Sequence, residues 1–278
     1  MPRRLATAFV FVRGFSYPGE TESERIMKKI AIIAISLMAV GSAAAQVSVS
    51  SPTSGNSSVQ SDDKSNTSDM KRIWPDFHAV EIEGPMQVCF ETADAQHPVG
   101  VSYYAKDFEG SKYVCKVESG VLKLRMQRSK SVDSLRVTVR YNNLSAVKVA
   151  DGSVRFDGLL KAHLLDVKVS GGAAFEATVD AADLQLEVTG HSRVILSGSS
   201  RYMDAVVSTA SVDASQLRST AVTVDASNKA VVTVQAAERV VMKSTTGAMV
   251  RYAGNPAIER SRTSSLLSGS FERLNSEK

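Results

Sequence analysis

Six pairs of apolar residues recur through the second half of this 278-residue chain, and their nearly constant spacing restricts its fold more than any other feature. The pairs are Val147-x-Val149, Val167-x-Val169, Leu186-x-Val188, Ala205-x-Val207, Val222-x-Val224 and Val240-x-Met242. Their second members follow one another at a step of roughly 20 residues, which is shortest between Val207 and Val224. Small polar corners follow most of them: Asp151-Gly152-Ser153, Ser170-Gly171-Gly172, Thr189-Gly190-His191-Ser192, Ser208-Thr209-Ala210-Ser211, Ser227-Asn228 and Ser244-Thr245-Thr246-Gly247. A second apolar position comes after each corner, at Val154, Phe175, Val194, Val212, Val231 and Val250. Gly, Asn and Ser supply the tight turns that a coiling chain needs every few residues. A single rung of this length cannot bury its own apolar side, whereas stacked rungs form a continuous interior. The expectation is a right-handed parallel β-solenoid of about six rungs over residues 144–256, with Lys148, Lys168 and Glu187 pointing to solvent between the inward pairs. An antiparallel sandwich is the rival, but it does not require a constant period.

Upstream of the repeat, Phe77–Gly84, Met86–Glu91, Val99–Tyr104, Lys112–Val117, Val121–Met126 and Leu135–Tyr141 read as short strands, with turns at Gly84-Pro85 and Ser119-Gly120. They predict an all-β antiparallel meander over residues 71–143 that leads into the solenoid, in one domain spanning 71–278 and closed by a cap or tail at 257–278. Residues 46–70 are Ser, Asn, Thr, Asp and Gly with almost no large apolar side chain, the composition of a disordered leader. Residues 27–45 carry Met27-Lys28-Lys29, an apolar run from Ile30 to Val40 and Ala43-Ala44-Ala45, the three parts of a secretory signal. Cleavage is expected between Ala45 and Gln46, which makes the product periplasmic, surface-located or secreted. Residues 1–26 read as an upstream extension of the gene model.

The apolar run of the signal is too short for the roughly 20 residues of a membrane span, so none is expected in the exported chain. Removing residues 1–45 takes away six basic and three acidic residues, which leaves 27 of the 33 Lys and Arg and 26 of the 29 Asp and Glu. A near-neutral surface gives nucleic acid no reason to bind. The only cysteines, Cys89 and Cys115, lie in strand-like runs of an exported protein, so a disulfide between them and a pair of buried thiols are both open readings.

The ordered series resembles the head GIN domain family, whose members are named as autotransporter adhesins. The similarity runs from about Phe77 to the C-terminus. It rests on Phe77…Val80-x-Ile82-x-Gly84, on Ser119-Gly120-x-Leu122-x-Leu124, on the repeated Ser-Gly corners and on Val250-Arg251-Tyr252-Ala253-Gly254-Asn255-Pro256. Two rungs, at Ser208–Ser211 and Asp225–Asn228, depart from the pattern by lacking glycine. The resemblance implies adhesion and carries over no catalytic or binding residue. The chain ends at Phe271–Lys278 without the alternating strands of a translocator barrel, so self-export is not expected.

Chemistry is sparse. The histidines His78, His97, His163 and His191 have no metal-type spacing to one another or to a cysteine, and no cofactor or metal is expected. Asp180 and Asp183 could pair only if the fold set them on either side of a substrate bond, and their common loop favours simple solvation. Arg155, His191, Arg193, Asp213 and Lys229 recur near rung spacing and form a candidate binding face with too few acids for a lyase. The expected function is therefore a non-enzymatic, adhesin-like binding module for extended glycans or cell-envelope partners. A structural, self-assembling homo-oligomer is the alternative, and a polysaccharide-active enzyme the least expected reading.

Overall fold

The computed structural model describes residues 74–104, 113–127, 135–263 and 267–274, all within the compact unit Asp62–Lys278. Their regular structure is entirely β: 15 strands in one mostly parallel sheet that winds through about seven turns of a solenoid. The regular part comprises β7 (Ala146–Ala150), β8 (Ser153–Ser170), β9 (Ala174–Thr189), β10 (Arg193–Ser208), β11 (Ser211–Ser227), β12 (Val231–Ser244) and β13 (Met249–Ala253), each parallel to the next. Every long strand bends around the interior, so one strand supplies parts of two sides.

Register defines the interior columns. Val149, Val169, Val188, Val207, Ala226 and Ser244 stack in one, coil upon coil. The short step from Val207 to Val224 read in the sequence is therefore a slip of two positions: Val224 stacks on Ala205, and Val222 belongs with Met203 in the neighbouring column. Large side chains mark a core position more loudly than Ala226 or Ser244, although both are fully buried. The Ser244 hydroxyl is accommodated by donating to the Ala248 carbonyl at 2.8 Å. A one-residue slip also affected the second column, which contains Val154, Phe175, Val194, Val212, Val232 and Val250. Val231 lies on the outer face at 37% exposure, because adjacent strand residues point to opposite sides. Tyr141, Phe90, Phe156 and Phe175 form an aromatic series inside, with Phe90 stacked on Phe156 at 4.5 Å and Phe156 tilted against Phe175 at 5.7 Å.

The N-terminal strands correct the expected meander. β1 (Ala79–Glu83) is parallel to both β5 (Val121–Met126) and β7, and β2 (Met86–Thr92) is parallel to both β6 (Leu135–Tyr141) and β8. The first strands of the chain are thus an inner coil, with β5 and β6 laid outside it. Gly84 makes this possible with φ of +106°, closing a corner in which the Met86 amide donates to the Gly84 carbonyl at 2.8 Å. A Cβ there would run into the Met126 carbonyl oxygen. Antiparallel pairing is confined to β3 (Gly100–Tyr104) on β6 and β4 (Tyr113–Glu118) on β5, and these two strands terminate the parallel stack.

The opposite end is finished differently. β14 (Ile258–Thr263) pairs with β12 and β15 (Ser270–Arg273) with β13. In this last coil Glu259, Ser261 and Thr263 take the column positions of Val240, Met242 and Ser244, and Arg273 takes that of Tyr252. All of β14 is exposed, so polar residues at its inward positions can meet water without cost. Arg260 and Arg262 put charge along the terminal edge, where an uncharged strand would template pairing with another chain. Replacing both by threonine is expected to make the protein self-associate with rising concentration in sedimentation velocity runs, while the parent sediments independently of concentration.

One inward column turns polar partway along: Ala162, Ala181, Ser200 and Ser219 are in register, and the buried Ser200 and Ser219 hydroxyls bond each other at 2.7 Å. Either single change to alanine leaves a buried hydroxyl unpartnered, at a cost of about 1–3 kcal/mol. The double variant S200A/S219A is expected to be more stable than the sum of the two singles, read as a coupling energy in urea denaturation.

Candidate functional site

At one corner of four successive coils the spacing of inward residues widens from two to three. Leu165 follows Ala162, Leu184 follows Ala181, Met203 follows Ser200 and Val222 follows Ser219. The residue pairs released from the interior are His163-Leu164, Ala182-Asp183, Arg201-Tyr202 and Thr220-Ala221. Where the long His163 and Arg201 alternate with the short Ala182 and Thr220, a shallow, wide-open lateral groove of about 690 Å³ runs across four coils. Asn143, Lys161, His163, Asp180, Ser199 and Arg201 line it, over a floor that includes Ala181 and Ser200.

Lys161, Asp180, Ser199 and Arg218 occupy one outward column in register just before the corner. The Ser199 hydroxyl donates to Asp180 Oδ1 at 3.1 Å, and the Thr178 and Ser197 hydroxyls bond at 2.8 Å nearby. Arg201 holds its guanidinium over the Tyr202 ring, 5.7 Å from the centroid, and that ring is 50% exposed.

The neighbouring side of the solenoid has a different charge pattern. Lys148 faces Glu81 at 3.9 Å, Lys168 faces Glu187 at 3.2 Å and Lys243 faces Asp225 at 2.7 Å, all in one outward column interrupted by Val206. The hydrogen bond that Lys168 donates to Glu187 holds its ammonium above the ordinary lysine range. Burial pushes the carboxyl of Asp166 up, opposed by the Lys168 charge. Exposed pairs of this kind add little stability each, about 0–1 kcal/mol, but they neutralise the cations of that side.

The residues singled out from the sequence lie elsewhere. Arg155, Arg193 and Asp213 project from the first runs of β8, β10 and β11, and His191 and Lys229 sit at the corners entering β10 and β12 with φ of +62° and +61°. Asp213 accepts hydrogen bonds from the Ser215 hydroxyl at 2.7 Å and the Ser215 amide at 3.1 Å. Among the described residues no hydrogen bond or ion pair joins any two of these five, so they share a side without converging. The groove leaves no mark in the apolar repeat, because its members are polar. Yet Lys161, Asp180, Ser199 and Arg218 are evenly spaced along the chain, as are His163, Ala182, Arg201 and Thr220. Aligning the polar positions on the same period would have found both series. Asp180 and Asp183 do not form a facing pair: Asp180 aligns with Lys161 and Ser199, Asp183 with Leu164 and Tyr202.

Cys89 and Cys115 are free thiols in the structure, and both are half-buried. Cys89 on β2 lies between Thr138 of β6 and Arg155 of β8, whereas Cys115 on β4 faces Leu124 of β5. Those strands belong to different rows of the coil, and neither cysteine is a register partner of the other. Burial pushes the Cys89 thiol up, with Glu91 and Asp157 adding to the effect. Intact mass should therefore be the same with and without reductant, and Cys89 should alkylate more slowly than free cysteine at pH 8.

Among the described residues no group of three His, Cys, Asp or Glu side chains is arranged to hold a metal ion, and no helix is long and apolar enough to cross a membrane. The family model described as "Putative auto-transporter adhesin, head GIN domain" matches residues 76–256. No curated protein matches the sequence. The fold is similar to the crystal structure of a "putative adhesin" from Bacteroides fragilis, with 16% identity, a TM-score of 0.67, and coverage of 72% of this chain and 94% of that one. A second "putative adhesin", from Parabacteroides distasonis, aligns at 17% identity and a TM-score of 0.58 over 72% of this chain and 93% of its own. A protein from the same organism described as "Putative lipid binding protein" aligns at 12% identity and a TM-score of 0.53, over 73% and 95%.

Proposed function

The chain belongs to the head GIN domain family, and from that premise we propose that it is an exported, non-enzymatic binding module of adhesin type that holds an extended glycan along its flank. The observation that carries this reading is the groove across four coils, in which Asn143, Lys161, Asp180, Ser199, Arg201 and Thr220 are presented at the spacing of the coils themselves. Parallel strands lie about 4.8 Å apart, so hydrogen-bonding groups recur along the groove at a pitch comparable to one sugar ring. An open trough of this kind suits a polymer laid along it better than a small molecule, which needs most of its surface enclosed.

The side chains support the same occupant. Tyr202, half exposed at the corner, offers a ring on which a sugar face can stack. Ser199, Thr220 and Asn143 can exchange hydrogen bonds with hydroxyls. Asp180 is the one carboxylate among the described lining residues, whereas glycoside hydrolysis normally uses two on either side of the bond. The charged and hydroxylated lining also favours a polyol over the acyl chain suggested by the lipid-binding label of one structural neighbour. The signal expected at residues 27–45 lies outside the described residues and supports export by its sequence alone.

The test is a glycan array probed with the full chain purified after export, alongside the variant Tyr202→Ala. A polysaccharide hit that weakens about tenfold when the exposed Tyr202 ring beside the groove is removed is the expected result. Silence from folded protein on the array sinks the proposal.

A further inference from the structure

We infer that the groove selects a glycan carrying carboxylate groups, an inference that rests on the binding role proposed above and specifies its ligand. The distribution of unneutralised cations points to it. Lys148, Lys168 and Lys243 on the neighbouring side each face a carboxylate. Lys161 and Arg201, which line the groove, and Arg218, which extends the Lys161 column, form no ion pair among the described residues. A cation left without a protein partner beside a concave surface keeps its charge for a ligand.

Arg201 is prepared for that role. Its guanidinium lies over the Tyr202 ring, 5.7 Å from the centroid, and a guanidinium can grip a carboxylate with two parallel hydrogen bonds. Lys161 and Ser199 are separated by the coil that carries Asp180, so the rows of Lys161 and Arg201 stand two coil spacings apart, about 10 Å. That is the length of two linked sugar rings in an extended chain. A polyuronate lying along the groove can therefore place one carboxylate on Lys161 and a second on Arg201. The ring between them meets Asp180 and Ser199, which can accept from and donate to its hydroxyls.

The same acids argue against a denser polyanion. Asp180 on the groove wall and Asp183 at the corner would repel a phosphate backbone that presents a charge at every step. In an extended polyuronate whose successive rings turn their carboxylates to opposite edges, the edge facing the groove presents a carboxylate at every second ring with hydroxyls between, which matches cation, acid and cation on successive coils.

Titration calorimetry with oligogalacturonate and with its fully methyl-esterified form separates charge from shape, since the two differ only at the carboxylate. The acid form is expected to bind at least tenfold more tightly than the ester, and to weaken as sodium chloride is raised. The variant K161Q/R201Q should lose at least tenfold for the acid form and clearly less for the ester, so that the preference for the acid form collapses, with no change in thermal melting. Equal affinity for the two forms, no binding of the acid form, or an unchanged affinity in the variant overturns the inference. If any of these occurs while neutral glycans bind on the array, the binding role stands and only its charge selectivity is lost. A silent array removes both.

Discussion

Backbone pairing between successive coils, parallel and in register, is the constraint on which the rest of this molecule depends. It converts the sequence period into columns, so that whatever occupies one position in a coil stacks directly on its equivalent in the next. The apolar columns become the core, the polar serine column becomes a buried hydrogen bond, and the outward columns become either a ladder of ion pairs or a groove. None of these needs a long-range contact of its own beyond the ladder that sets register.

Such a stack has two ends, and each end must stop the propagation that builds the middle. At the N-terminal end the change is in backbone direction: β3 and β4 run against their neighbours and finish the parallel array. At the C-terminal end the change is in side chains, with Glu259, Ser261 and Arg273 placed where valine, methionine and tyrosine stand one coil earlier. The two solutions answer one problem, an exposed cross-section that would otherwise recruit another chain.

The two outward sides differ in how far their charges are paired. Glutamate and aspartate meet lysine on one side, and the corner beside it gathers Lys161 and Arg201 around a single lining carboxylate. A solenoid is well suited to such a division because each outward column is one residue type choice repeated at coil spacing. The ligand inferred for the groove is a polymer for the same reason that the protein is a repeat.

The sequence by itself determined the all-β class, the period, the family and the positions of most interior residues, because apolar alternation within each rung is a local property. It left register open by two positions where the core used Ala226 and Ser244, since small and polar residues look alike whether buried or exposed, and by one position at Val231-Val232, where two adjacent valines fit the inward position equally well. Only the tertiary structure decided that β1 and β2 form an inner coil rather than a hairpin. The same short strands suit either pairing, and the choice lies in the Gly84 corner and in partners that lie far along the chain. It also decided that Cys89 and Cys115 stand on separate rows, and that Lys161, Asp180 and Arg201 flank one groove. Those outcomes depend on how coils stack, and stacking is a relation between segments that no single segment encodes.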